Sequence, residues 1–161
     1  MNQVDTLYSV DISNGETLTY RKREGGDELI VLVHGNMTSS KHWDLLLESM
    51  DEQFTIYAVD MRGFGGSTYH NRITSIKDFS KDIKLWTDAL NLKNFTMIGW
   101  STGGNVAMQF CADYPGYANK LVLFASDSGT GRLGGCSEAS GYVYRYNRCG
   151  WTASSGLRNC R

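Results

Sequence analysis

The chain has 161 residues, enough for one globular domain of ordinary size, and 41% of them are hydrophobic, close to the soluble norm. A formal net charge of −1 offers no basic stripe and no acidic tail, which argues against nucleic acid or anionic lipid as the main partner. Met1 to Tyr20 has no apolar h-region, and no run approaches the roughly eighteen apolar residues of a membrane span, so a cytoplasmic protein is expected.

From Thr6 to Ile12 and from Glu16 to Arg23, apolar and polar residues roughly alternate around Ser13-Asn14-Gly15. Asn-Gly between two such runs predicts a β-hairpin. Leu29-Ile30-Val31-Leu32-Val33 is apolar on both faces, the pattern of a strand buried between two helical layers, and it ends in His34-Gly35-Asn36-Met37. Thr38-Ser39-Ser40 offers N-caps for a helix in which Trp43, Leu46, Leu47 and Met50 recur at helical spacing. Phe54 to Val59 is the next predicted strand, closing on the glycine-rich loop Asp60-Met61-Arg62-Gly63-Phe64-Gly65-Gly66-Ser67.

Thr74 or Ser75 can cap a second helix, whose apolar stripe is Ile76, Phe79, Ile83, Trp86 and Leu90. Asn91 to Asn94 turns into the apolar run Phe95-Thr96-Met97-Ile98, followed by Gly99-Trp100-Ser101-Thr102-Gly103-Gly104 and then a helix that Pro115 stops. Strand, very sharp turn and helix, with a serine at the turn and small residues two positions either side, is the layout of a nucleophile elbow. Leu121 to Ala125 supplies a further buried strand. A hairpin and then alternating strands and helices predict an α/β fold, a mostly parallel sheet with helices on both faces and ligand sites at the carboxyl ends of its strands. His34-Gly35-Asn36, the Asp60 loop and Ser101 all fall at those ends.

Beyond Ser126 the character changes. Lysine stops at Lys120, every later basic residue is arginine, and only Tyr142-Val143-Tyr144-Arg145-Tyr146 reads as a short strand. Residues 126–161 hold too little apolar surface to offset the entropy of ordering them. The expectation is a partial domain over 1–125 joined to an irregular Gly/Ser/Arg/Cys-rich tail, from a shifted or foreign reading frame or an unrelated replacement; an ordinary flexible tail is the bland alternative. Cys111 reads as a small buried thiol. The spacing of Cys136, Cys149 and Cys160 fits neither a zinc site nor a disulfide framework in a chain without an export signal, and no cofactor is implied.

His34-Gly35-Asn36, Asp60 to Ser67 and Gly99 to Gly104, in that order, resemble the α/β-hydrolase superfamily in its branch of single-domain esterases, lactonases and haloperoxidase-like hydrolases. The resemblance covers about Leu7 to Ala125. It implies Ser101 as nucleophile toward a small-molecule acyl substrate, with the backbone N–H groups of Thr102 and Asn36 as the oxyanion hole and Met37 as the alternative to Asn36. Members with an aspartate nucleophile, such as haloalkane dehalogenases and epoxide hydrolases, do not fit a serine here. His34, Asp60, Arg62, Gly63 and Gly65 are expected to hold their loops, and Trp100 either lines the pocket or packs. In the family, acid and then histidine follow the serine, whereas His34, His42 and His70 all precede Ser101. Asp127 is a conceivable acid and His70 a conceivable substitute base. The expectation is therefore a carboxylic-ester or lactone hydrolase by ancestry with impaired chemistry, or else a non-catalytic small-molecule binder or a fragment without activity. Two family strands and helices, and a lid, have no counterpart in the pattern, so an uncovered sheet edge is expected. Oligomeric state is left open.

Overall fold

The computed structural model describes residues 6–125, 141–147 and 150–154, the last two stretches through their backbone alone. Strands β1 (Leu7–Asp11) and β2 (Thr17–Arg23) form the predicted antiparallel hairpin, with Gly15 at φ 86 in its turn, a conformation that costs glycine little. There follow β3 (Glu28–Val33), a 3-10 turn (Ser40–Trp43), α1 (Asp44–Ser49), β4 (Phe54–Val59), α2 (Ile76–Ala89), β5 (Phe95–Trp100), α3 (Thr102–Asp113) and β6 (Ala118–Phe124). Two further strands, β7 (Gly141–Asn147) and β8 (Gly150–Ser154), complete one sheet in the order β1-β2-β4-β3-β5-β6-β7-β8. The central four strands, β4, β3, β5 and β6, run parallel, and the pairs flanking them are antiparallel.

The double-faced apolar runs have a direct explanation. Val31 and Val33 face one core with Ile83 and Trp86 of α2 and Val106, Ala107 and Phe110 of α3. Ile30 and Leu32 face the other, with Ile56, Ala58, Ile98, Trp43 and Leu47. Alternation along each strand feeds both cores, and each large side chain fully buried there contributes about 1.5–3 kcal/mol. Cys111 is buried as expected, and burial pushes its thiol up to about 12.

Helix starts follow local chemistry. Ser75, rather than Thr74, caps α2, in a reciprocal box with Asp78. The helix expected from Trp43 to Met50 begins instead as the 3-10 turn, because the Ser39 hydroxyl accepts from Lys41 N–H and the chain tightens before α1. Strand β6 begins before Leu121, since Ala118 already pairs with Phe95 across a register shift. The tail strand expected at Tyr142 to Tyr146 is β7, paired antiparallel to β6, so β6 is not the uncovered edge that the pattern suggested. Strand β8 had no signal in the sequence. Asp127, Cys136, Cys149 and Cys160 lie outside the described residues.

Candidate active site at the carboxyl edge of the sheet

Ser101 stands between β5 and α3 at φ 52 and ψ −121, a conformation that costs a residue with a side chain about 1–3 kcal/mol and that the surroundings must hold. Its N–H donates to Phe124 O at 3.0 Å, tying the turn to the end of β6, and its carbonyl accepts from Gly104 N–H at 2.9 Å. The glycines explain how strand and helix come so close. A Cβ on Gly99 would sit 2.5 Å from Gly103 O, and one on Gly103 would sit 2.3 Å from both Val33 O and His34 O. The elbow is therefore wedged against the end of β3 as well as the start of α3.

The loop after β3 lies directly on this turn. A Cβ on Gly35 would lie 3.3 Å from Ser101 Cβ and 2.5 Å from Cε3 of the Trp100 indole. Beyond it Met37 adopts φ 55, and its N–H donates to Asn36 Oδ1 at 3.0 Å. The Asn36 N–H, by contrast, meets no acceptor among the described residues. Of the two candidate donors, Asn36 is the one left available.

His34 is fully buried with both ring nitrogens engaged: Nδ1–H donates to Gly35 O at 2.7 Å, and Nε2 accepts from Met61 N–H at 3.0 Å. Burial lowers its pKa, so the ring is neutral and ties the β3 and β4 loops together. Asp60, also buried, accepts from Ser40 N–H, from the Thr19 hydroxyl at 2.6 Å and from Gly66 N–H at 3.2 Å. Gly65, at φ 55, leaves room for that carboxylate, since a Cβ there would lie 2.1 Å from Asp60 Oδ2. These residues anchor loops, as their sequence context suggests.

A second polar cluster occupies the β2 flank of the same edge. Arg62 bonds both carboxylate oxygens of Asp82, at 2.7 Å through Nε, lies 3.7 Å from Glu16 Oε1, and donates to Asn71 O at 2.9 Å. Asn14 Nδ2 donates to Asp82 Oδ1 at 2.8 Å. Glu16 accepts from the Thr68 hydroxyl, from the His70 and Asn71 backbone N–H groups and from the Asn71 amide. Burial alone would push the Glu16 carboxyl up, but those donors outweigh it and bring it down to about 2. Burial, with the nearby Glu16 charge, raises the Asp82 pKa despite its bonds from Arg62 and Asn14. His70 is thus fixed through its backbone beside Glu16 at the start of β2, and β4 and β3 lie between β2 and β5, three strand spacings or about 14 Å. The structure does not bring His70 to the elbow. Besides His34, whose carbonyl abuts Gly103, the structure brings the His42 ring there: it stacks on Trp100 with centroids 4.3 Å apart and planes 9° off parallel. Nothing in the sequence pairs these residues, because the contact joins the 3-10 turn to β5 across the sheet edge.

A family model described as the alpha/beta hydrolase fold matches residues 28–138. The chain belongs to the alpha/beta hydrolase family. Human serine hydrolase BPHL is 32% identical over 120 residues, covering 71% of this chain and 41% of that protein. Among solved structures, Est816, described as an N-acyl homoserine lactone degrading enzyme, superposes with a TM-score of 0.68 at 25% identity, over 74% of this chain and 45% of its own. The haloalkane dehalogenase DatA of Agrobacterium tumefaciens C58 does so at 0.67 and 24%, over 76% and 42%, a likeness of fold. The chain spans less than half the length of these relatives. Among the described residues no helix is long and apolar enough to cross a membrane, and no group of His, Cys, Asp or Glu side chains is arranged to hold a metal ion.

Proposed function

We propose that this chain carries the nucleophile half of a serine hydrolase for carboxylic esters or lactones, small molecules whose acyl group is transferred to Ser101. The observation that supports the reading is the strained Ser101 backbone packed against Gly35; in this reading Thr102 N–H, at the first turn of α3, and Asn36 N–H are the two backbone donors. Attack by Ser101 Oγ on an acyl carbonyl puts negative charge on the carbonyl oxygen, and two fixed N–H groups aimed there lower that barrier. The human relative's name, serine hydrolase, and the lactone-degrading activity for which Est816 is named agree with this chemistry.

The proposal includes impairment. A serine hydroxyl is a poor nucleophile until a base takes its proton, and no histidine follows Ser101 in this sequence. Asp127, the candidate acid, precedes no such base. On its own the chain therefore turns over slowly, by the oxyanion hole and binding alone, a residue of roughly a thousandfold over water in serine proteases. A pocket kept only for binding, or no activity at all, is the second reading, favoured by that same missing histidine. The division into a partial hydrolase domain over 1–125 and a tail over 126–161 belongs to this proposal, and reading the encoding DNA in its other two frames past the Ala125 codon tests it.

Labelling by a fluorophosphonate probe decides between the readings. Weak Ser101-dependent labelling, absent in Ser101→Ala and without sustained ester turnover, is expected. Rapid turnover would overturn the impairment, and labelling that survives in Ser101→Ala would overturn the nucleophile.

A further inference from the structure

The segment from His34 to Trp43 crosses the carboxyl end of β5 and meets the Trp100 indole at two places. At one, the backbone of Gly35 lies against the indole edge, closely enough that a Cβ would fall 2.5 Å from Cε3 and 2.7 Å from Cζ3. At the other, the His42 ring covers the indole face. His42 is exposed, yet it is bracketed, since its ring also meets the buried Trp43 edge-on at 5.3 Å and 82°. Asn36 and Met37, both exposed, lie between the two contacts. The segment is anchored at His34, Ser40 and Trp43, and between those anchors the two contacts on one rigid ring set where the exposed stretch at Asn36 and Met37 points its backbone amides.

We propose that His42 is a positioning residue: stacked on Trp100, it clamps the 34–43 loop onto the elbow and so fixes the Asn36 N–H relative to Ser101. This rests on the reading of Ser101 and Asn36 given above. His42 makes no hydrogen bond to Ser101 among the described residues, so its action runs through Trp100 and the loop. What matters is then the flat ring and not the imidazole nitrogens. A phenyl ring can replace it and a methyl group cannot.

The test compares His42→Ala and His42→Phe with the parent in the full chain. Two readouts are taken: the rate of Ser101 labelling by a fluorophosphonate, and amide hydrogen exchange across residues 34–43. In His42→Ala, labelling is expected to slow about tenfold, less than the hundredfold or more that follows loss of an oxyanion donor outright. Exchange at Met37 and Ser40, whose amides donate to Asn36 Oδ1 and Asp60 Oδ1, is expected to speed up about tenfold. In His42→Phe both return to within about threefold of the parent. The thermal midpoint should stay within about 2 °C in both variants, because the side chain is exposed. Unchanged labelling and exchange in His42→Ala would overturn the proposal, as would a failure of phenylalanine to restore them. Should the parent not be labelled at Ser101 at all, the hydrolase reading fails separately, and the exchange data alone then decide: acceleration restored by phenylalanine upholds the clamp, and its absence refutes it.

Discussion

At the β2 flank of the carboxyl edge, Glu16, Arg62 and Asp82 are buried and paired with one another and with loop amides. About three strand spacings away, Ser101 stands on strained backbone with no side chain hydrogen-bonded to its hydroxyl among the described residues. The domain therefore uses its buried titratable groups to close loops and positions Ser101, the proposed nucleophile, by close packing of glycines. Burying charge is costly and is sustained only by reciprocal partners, so a network like Arg62–Asp82 reads as structural fixation and not as chemistry. Strain held at the half-buried Ser101 has no such reciprocal partners.

Four substitutions or conditions test that contrast. The largest effect is expected at the elbow's packing: Gly103→Ala puts a Cβ 2.3 Å from the Val33 and His34 carbonyl oxygens, backbone that cannot swing aside. A loss of more than about 4 kcal/mol should follow, seen as loss of the cooperative thermal transition by circular dichroism. Arg62→Ala comes next, at about 3–5 kcal/mol in urea unfolding, because it leaves Asp82 and Glu16 buried without their cation. A loss under about 1 kcal/mol there would show that the flank network is not what fixes these loops.

A smaller, pH-dependent effect belongs to Glu16. Its folded-state pKa, about 2, lies below the ordinary value of 4.5, so its contribution is complete above about pH 4.5 and disappears as pH falls toward 2. Asp82, whose pKa is raised, works in the opposite sense, so the informative comparison is between the parent and Glu16→Gln. The parent should lose stability across that window while the variant changes less; parallel curves would contradict the assignment. The smallest effect is expected at Ser101→Gly, which relieves φ 52 and should raise stability by about 1 kcal/mol while abolishing fluorophosphonate labelling. A destabilised glycine variant would mean that the turn is not strained.

Much of this was legible in the residues. The Asn14-Gly15 hairpin, the apolar stripe of Ile76, Phe79, Ile83 and Trp86, and the small residues around Ser101 are short-range patterns, and each produced the element it announces. Legibility fell where neighbours compete locally. Ser39 turned the first helix's start into a 3-10 turn, and a register shift at Phe95 lengthened β6. At the site, His70 and His42 are equally plain in sequence, and only their partners separate them: Glu16 holds the first at β2, and Trp100 holds the second beside the elbow.

The sequence alone determined the alternation of strands and helices, the double-faced core strands and the serine at the sharp turn, because hydrophobic period and glycine placement act over a few residues. Tertiary structure decided that Arg62 answers Asp82 and Glu16. It also decided that His42 rather than His70 stacks on Trp100, beside Ser101. Those are contacts between residues tens of positions apart, set by sheet order and crossover packing, which no local pattern encodes.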